Sequence, residues 1–480
     1  MSTPATSAEP GTSGVLAPGR GRGPACWSLV VAFTTYLLLG WVTTRLPHQA
    51  NALSWYASVM WTAPILTAGL GVTGAVLAGR RTGRTAQPRG TPRAGDDRLV
   101  VVVPTIGRDD TCTALARVLE SFVRHLPSRF SAVRVDVVIE EGCEAEAVIQ
   151  RMSETDPVIR VLVVPRTYCT THGSRFKARA NHYAHELRLA EGEATDDTWV
   201  LHMDDDTAVG PDTADDLARF VAEQRAAGDA ARHLAQGVLC YPRELAAHRL
   251  VWLADAVRPA CDLSIFAATT GLGYPRMGLH GELLLVRASV EATIGWDFGP
   301  AAIVEDAQFG LVFCGRYPGR SGWFAGRSYG ASPTTVTDFL RQRERWAWGL
   351  LALVADRALP LRQRLLLLQA VAVWVCGPLQ HPAVVLGLGV LLGGEGVSAV
   401  VPALLPIWSL NMAFFVWLYW EGLKVNAAAS RRTGRQWWEP AALLVLLPVF
   451  SMLECVGVAR GALRFLRREQ AAFTVISKPA

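Results

Sequence analysis

The 480 residues are half hydrophobic and carry 47 Lys and Arg against 42 Asp and Glu, a net charge of only +5. The arginines cluster beside apolar runs, which excludes a nucleic-acid binder and leaves one sizeable soluble domain plus membrane spans. The nine cysteines form no CxxC pair, which excludes a disulfide or zinc framework and fits a reducing compartment.

Residues 1–26 are rich in Pro, Gly, Ser, Thr and Ala, a composition expected to be disordered. Trp27–Thr44 and Trp55–Gly79 are each apolar and long enough to span a bilayer, so residues 27–79 are expected to form a membrane hairpin. Arg20 and Arg22 precede it, and Arg80, Arg81 and Arg84 follow, placing both ends in the cytoplasm. From residue 98 to 340 strand-like and helix-like stretches alternate, the pattern of a parallel sheet covered by helices. An interfacial amphipathic region is expected over 338–363, then two spans within 364–424 (Leu365–Leu392 and Val401–Leu423). Pro440–Leu463, inside 436–466, is apolar but basic on both flanks, and is expected to lie in the cytoplasmic interface.

Within the soluble region, Trp199–Met203 reads as a buried strand running into Asp204, Asp205 and Asp206. Carboxylates clustered at the carboxyl end of a strand lie where open α/β sheets bind ligands, and suit a hard divalent ion shared with phosphates. The same triplet would serve equally as a turn or helix cap. Leu99–Val103 ends at Pro104-Thr105, and Val135–Ile139 ends at Glu140-Glu141, two further strand ends that a nucleoside could occupy. Lys177, one of only three lysines, begins a helix, where a cation suits a phosphate as well as it suits solvent. His280 and Gly281 lie in a turn ahead of another buried strand, and Glu305-Asp306 begins a helix whose dipole keeps carboxylates ionised, as a general base requires. Gln342, Arg345 and Trp346 belong to a basic, aromatic helix that could hold phosphate or rest on the membrane.

Taken in order, these pieces resemble the membrane-integrated family 2 glycosyltransferases of GT-A fold, a group that includes cellulose and hyaluronan synthases and the egghead-type β-1,4-mannosyltransferases. Asp204-Asp205-Asp206 is similar to the family's DxD motif. Val304-Glu305-Asp306 is similar to its TED motif with Val304 in place of threonine, and Gln342-Arg-Glu-Arg-Trp346 fits Q(Q/R)xRW. Phe473–Lys478, within a tail over 470–480, resembles the gating loop FxVTxK with Ile476 where threonine is usual. Gly278–Trp346 is most similar to the egghead type.

The resemblance implies a Rossmann-like GT-A domain inserted between transmembrane helices, and an inverting transfer of a sugar from a nucleotide diphosphate. Asp204 and Asp206 would hold Mg²⁺ or Mn²⁺. Asp306 would be the base, with Glu305 beside it, and Trp346, His280 and Gly281 would meet the acceptor. Pro104, Thr105, Glu140, Lys177, Asp205, Gln342, Arg345 and Lys478 would bind the nucleotide and its diphosphate. The egghead likeness implies GDP-mannose as donor and a lipid-linked acceptor, with a processive synthase using a UDP-sugar as the alternative. The expected setting is a bacterial plasma membrane with the catalytic domain cytoplasmic.

Overall fold

The computed structural model describes residues 23–45, 52–85, 92–375, 377, 401–430 and 436–469. The expected gating loop with Lys478, the turn near 393–396 and most of the expected span Leu365–Leu392 lie outside them.

Eight strands form one sheet in the order β3-β2-β1-β4-β7-β6-β8-β5. In chain order these are β1 (Arg98–Pro104), β2 (Ala132–Glu140), β3 (Ile159–Val164), β4 (Thr198–His202), β5 (Ala208–Val209), β6 (Leu234–Cys240), β7 (Leu284–Arg287) and β8 (Ser321–Tyr329). β1 runs parallel to β2 and β4, and β2 parallel to β3. Beyond β4 the sheet is mixed: β6 runs parallel to β8, but β7 is antiparallel to both β4 and β6, and β5 is antiparallel to β8. The long helical excursion between β6 and β7 returns the chain so that β7 lies antiparallel between β4 and β6.

Period-2 alternation sorts the Val-rich strands into two cores. Leu99, Val101 and Val103 face a cluster with Leu115, Leu119 and Phe122 of α4 (Cys112–His125) and Leu217 and Val221 of α7 (Pro211–Ala227). Val100 and Val102 face Ala180 and Ala184 of α6 (Phe176–Ala190), and Phe309 and Phe313 of α12 (Glu305–Arg316). Register then aligns the functional strand ends. Met203 N–H donates to Val102 O at 3.0 Å and Thr105 N–H to Val138 O at 2.9 Å, so β1, β2 and β4 end together.

The second apolar run is broken at Ala63-Pro64 into α2 (Ala52–Thr62) and α3 (Ile65–Thr85), because Pro64 cannot donate to the helix ladder. Among the described residues, three segments are long and apolar enough to cross a membrane: Ser58–Gly83, Pro402–Ala428 and Trp438–Leu466. α1 (Cys26–Arg45) contributes the shorter apolar stretch Cys26–Val42. Residues just before α1, expected to be disordered, are instead tied down: Ala25 N–H donates to Glu421 at 3.1 Å and Trp417 Nε1 donates to Ala25 O at 3.3 Å.

Glycines let the membrane helices approach the domain. A Cβ on Gly74 of α3 would lie 1.6 Å from Ser264 O, and one on Gly422 of the helix Leu405–Ala428 would lie 1.6 Å from Ala256 O. Both helices therefore pack directly on the segment 256–268. The motif helix Val336–Ala355 runs alongside the apolar helix Trp438–Leu466 through Gly457 and Gly461, where added Cβ atoms would meet Arg343 and Glu344 O at 2.6 and 2.3 Å.

Candidate active site

A single cavity of about 800 Å³ collects most of the residues singled out above. Its lining includes Pro104, Thr105 and Glu140, together with Lys177, the aspartate triplet, Gly281, Glu305, Asp306, Gln342, Arg345 and Trp346. Lys478 lies outside the described residues.

The triplet is held from three directions. Lys177 Nζ donates to Asp204 and lies 4.0 Å from Glu305 Oε1, joining the start of α6 to the end of β4 and the start of α12. Thr105 Oγ1 donates to Asp205 Oδ2 at 2.7 Å, fixing the β1 and β4 ends together. Asp206 is buried and accepts from Thr207 Oγ1 at 3.1 Å. Burial opposes the Lys177 charge, but Asp204, Glu305 and Asp306 together raise its pKa, so it is an ammonium.

Glu305 and Asp306 open α12. Burial first, then the neighbouring Asp306, push the Glu305 carboxyl up to about 8, against the opposing pull of the Lys177 ammonium. Burial raises Asp306 too, but Lys177 and the Ala307 N–H, which donates to Asp306 Oδ1 at 2.7 Å, oppose the shift. The Ala307 N–H thus gives the Asp306 carboxylate a fixed hydrogen bond that favours its charged form. Glu282, not singled out in the sequence, is pushed up to about 7 by burial and Asp204. It sits one residue beyond Gly281, and its only sequence signal was that adjacency.

Gly281 has a steric reason for being glycine. A Cβ there would lie 2.3 Å from Lys177 Nζ and 3.3 Å from Asp306 Oδ2. Phe176, next to Lys177, and Leu283, next to Glu282, both have φ of 53°, a left-handed conformation rare for such side chains and often held at functional sites.

Other expected residues are placed less simply. His280 lines the cavity, yet its Nε2 pairs with Asp262 Oδ1 at 2.7 Å and its ring packs edge-on to Phe266, so it braces the cavity wall. Glu140 pairs with Arg179. Trp346 carries two guanidinium groups over its ring, Arg258 and Arg343, each 4.6 Å from the centroid. Its ring therefore serves as a seat for two arginines, which the expectation that Trp346 meets the acceptor did not foresee. Arg343 is buried, pairs with Asp255 and Glu454, and donates to Gln342, so it docks the motif helix rather than facing a phosphate. Arg345 lines the cavity within electrostatic reach of Glu305, Asp204 and Asp306.

The donor set suits a divalent ion that arrives with its phosphates. No group of three His, Cys, Asp or Glu side chains converges on one point among the described residues. Mg²⁺ and ions like it typically take one or two carboxylates and complete their shell with water and substrate phosphate. Asp204 and Asp206 meet that requirement.

Residues 199–421 match the family described as glycosyl transferase family group 2. Over 224 residues the chain is 30% identical to the β-1,4-mannosyltransferase egh of Drosophila melanogaster, covering 46% of this chain and 47% of the relative. It is 28% identical over 226 residues to the β-1,4-mannosyltransferase bre-3 of Caenorhabditis elegans, covering 47% and 48%. The chain thus spans about half the length of the curated relatives it matches. Among solved structures it is similar to the mannosyltransferase PcManGT from Pyrobaculum calidifontis in complex with GDP-Man and Mn²⁺ (TM-score 0.46, 16% identity, 86% of this chain and 99% of that one). It is also similar to S. aureus TarS 1–349 (TM-score 0.32, 14% identity, 79% and 94%).

Proposed function

On the premise that residues 199–421 form a family 2 glycosyltransferase domain, we propose that this chain moves mannose from GDP-mannose to a saccharide acceptor at a membrane, forming a β linkage. One observation carries the reading. A single cavity joins a carboxylate-rich strand end, a supported base and helices of membrane-spanning character. The β-1,4-mannosyltransferase relatives support the choice of sugar and linkage.

In this reaction Asp306 takes the proton of an acceptor hydroxyl. The freed oxygen bonds to the anomeric carbon from the face opposite the diphosphate, the bond to the diphosphate oxygen breaks, and GDP leaves. Inversion converts the α-linked donor to a β product. A divalent ion held by Asp204 and Asp206 would offset charge on the leaving diphosphate. Lys177 and Arg345 add fixed positive charge where that negative charge develops. Thr105 and Glu140 hold the nucleoside at the ends of β1 and β2, and the Lys478 segment would close over the donor.

The site faces the cytoplasm of a bacterial cell, where GDP-mannose is made. The helix Trp438–Leu466, although apolar enough to span, packs beside the motif helix through Gly457 and Gly461, which supports a place for it at the cytoplasmic interface. The test is product analysis. Labelled mannose should appear in one glycolipid as a single β-linked residue that a β-mannosidase releases. Release by an α-mannosidase, or a ladder of polymer lengths, would overturn the reading.

A further inference from the structure

The loop between the helix Ala288–Ile294 and α12 takes no part in the preceding mechanism, although α12 carries Glu305 and Asp306 at its start. Asp297 of this loop reaches across to the turn that precedes α6. Its Oδ2 accepts from the His172 backbone N–H at 2.7 Å and from His172 Nδ1 at 2.9 Å, and its Oδ1 accepts from Ser174 Oγ at 2.8 Å.

The two segments are stitched together further. Gly299 N–H donates to Ser174 Oγ at 2.9 Å, and Ser174 N–H donates to Thr170 Oγ1 at 2.7 Å. Thr170 and Ser174 are buried, and the Asp297 side chain is only 12% exposed. Burial works against the Asp297 charge, yet Thr170, His172 and Ser174 hold its carboxyl well below the usual range, so it stays a carboxylate.

What this clamp holds lies just beyond it. Two residues after Ser174 the chain passes through Phe176, with its left-handed φ of 53°, and delivers Lys177 to Asp204 and towards Glu305. A bulky residue persists in that conformation only where its surroundings over-determine it. Here the turn before Phe176 is fastened to the Asp297 loop, and the lysine after it is fastened to Asp204. Released on the first side, Phe176 is free to return to an ordinary φ, and that backbone rotation swings Lys177 away from the carboxylates. Asp297 also belongs to the loop that leads into Glu305 and Asp306, so one side chain ties the ammonium of α6 to the acid pair of α12.

We infer that Asp297 is a positioning residue for the transfer: by fastening the 170–174 turn to the loop ahead of α12, it holds Phe176 in its strained conformation and keeps the Lys177 ammonium on Asp204. Asp297 does not line the cavity, and it acts through Lys177. This deepens the proposed function and rests on it only for the identity of the donor.

The experiment compares the full chain in detergent with Asp297→Asn. Asparagine keeps the shape but offers one oxygen and one NH₂, so it can accept from Ser174 or from His172 and not from both. The first readout needs no turnover: labelling with acetic anhydride followed by mass spectrometry, with Lys424 of the helix Leu405–Ala428 as internal reference. Only a neutral amine is acylated, and the carboxylates around Lys177 keep it an ammonium. Asp297→Asn should label Lys177 at least about tenfold faster and leave Lys424 unchanged.

The second readout is nucleotide release from GDP-mannose with Mn²⁺. The kcat should fall about tenfold with KM within about threefold, and in a Lys177→Met background Asp297→Asn should lower kcat no further. Ser174→Ala, which removes one donor and leaves the carboxylate, should move both readouts less and in the same direction, and it decides the matter where Asp297→Asn does not fold. Unchanged Lys177 labelling would overturn the inference, as would Lys424 labelling raised by the same factor. A full further loss of kcat in the Lys177→Met background would overturn it too, because Asp297 would then act by another route. Faster Lys177 labelling in a protein that releases no nucleotide from GDP-mannose would defeat the proposed donor and leave the positioning role standing.

Discussion

The Lys177 ammonium pairs with the Asp204 carboxylate, tying the start of α6 to the end of β4 within the cavity. Lys177 thereby offsets repulsion among Asp204, Glu305 and Asp306 and remains in place for the developing negative charge of a diphosphate. Lys177→Met should lower kcat by about 10²–10³-fold, in the range seen when one electrostatic donor to a transition state is removed. Steady-state kinetics at saturating donor check this, and a change confined to KM would show a ground-state role only.

Gly281 sets how closely that ammonium can approach. The clash of a new Cβ falls on the far end of the flexible Lys177 side chain, so Gly281→Ala should displace the ammonium with little loss of stability. The expected result is a fall in kcat of at least about tenfold with a melting temperature within a few degrees of wild type. A large drop in melting temperature would instead mean that the glycine serves the backbone.

Asp306→Asn removes the supported anion while keeping its shape. Transfer should fall by about 10²–10⁴-fold with donor affinity nearly unchanged. Near-full transfer by this variant would remove Asp306 from its role.

Behind the aspartate triplet, Glu291 is buried between Arg188 at 2.8 Å and His202 at 2.8 Å, and also accepts from Trp296 Nε1 at 2.7 Å. Burial would raise its pKa, but Arg188 and His202 hold the carboxyl well below the usual range. Burial likewise lowers His202. Both groups bind fewer protons folded than unfolded, so each contributes stability that is present above its unfolded pKa and lost as pH falls below it. Thermal stability should therefore decline from about pH 6.5 downward through His202, and more steeply below about pH 4.3 through Glu291. Glu291→Gln should cost about 3–5 kcal/mol by leaving Arg188 without its counter-charge, and should flatten the limb below about pH 4.3. A wild-type melting temperature insensitive to acid over that range would contradict this account.

Much of the site was legible because its residue types announce themselves at strand and helix ends. The three aspartates that follow Trp199–Met203, the Glu305-Asp306 pair at a helix start, and Gln342, Arg345 and Trp346 all line one cavity, although the first and last lie more than a hundred residues apart in the chain. The rest depended on distant pairings that leave no local trace. β8, SGWFAGRSY, shows no clean alternation because both of its faces are covered. Arg258 resembles any other arginine until Trp346 is placed beneath it. The two arginines of the Gln342–Trp346 motif look equivalent in sequence, and only Asp255, from the turn after the helix Arg249–Ala254, and Glu454, from the helix Trp438–Leu466, make Arg343 structural. The helix break at Ala63-Pro64 was signalled by proline but outweighed by continuous hydropathy.

The most direct measurement is nucleotide release by the purified full chain in detergent with Mn²⁺, comparing GDP-mannose with a panel of UDP-sugars. Release from GDP-mannose alone, increased by a glycolipid acceptor, is the predicted result. Release only from a UDP-sugar would contradict the assigned donor.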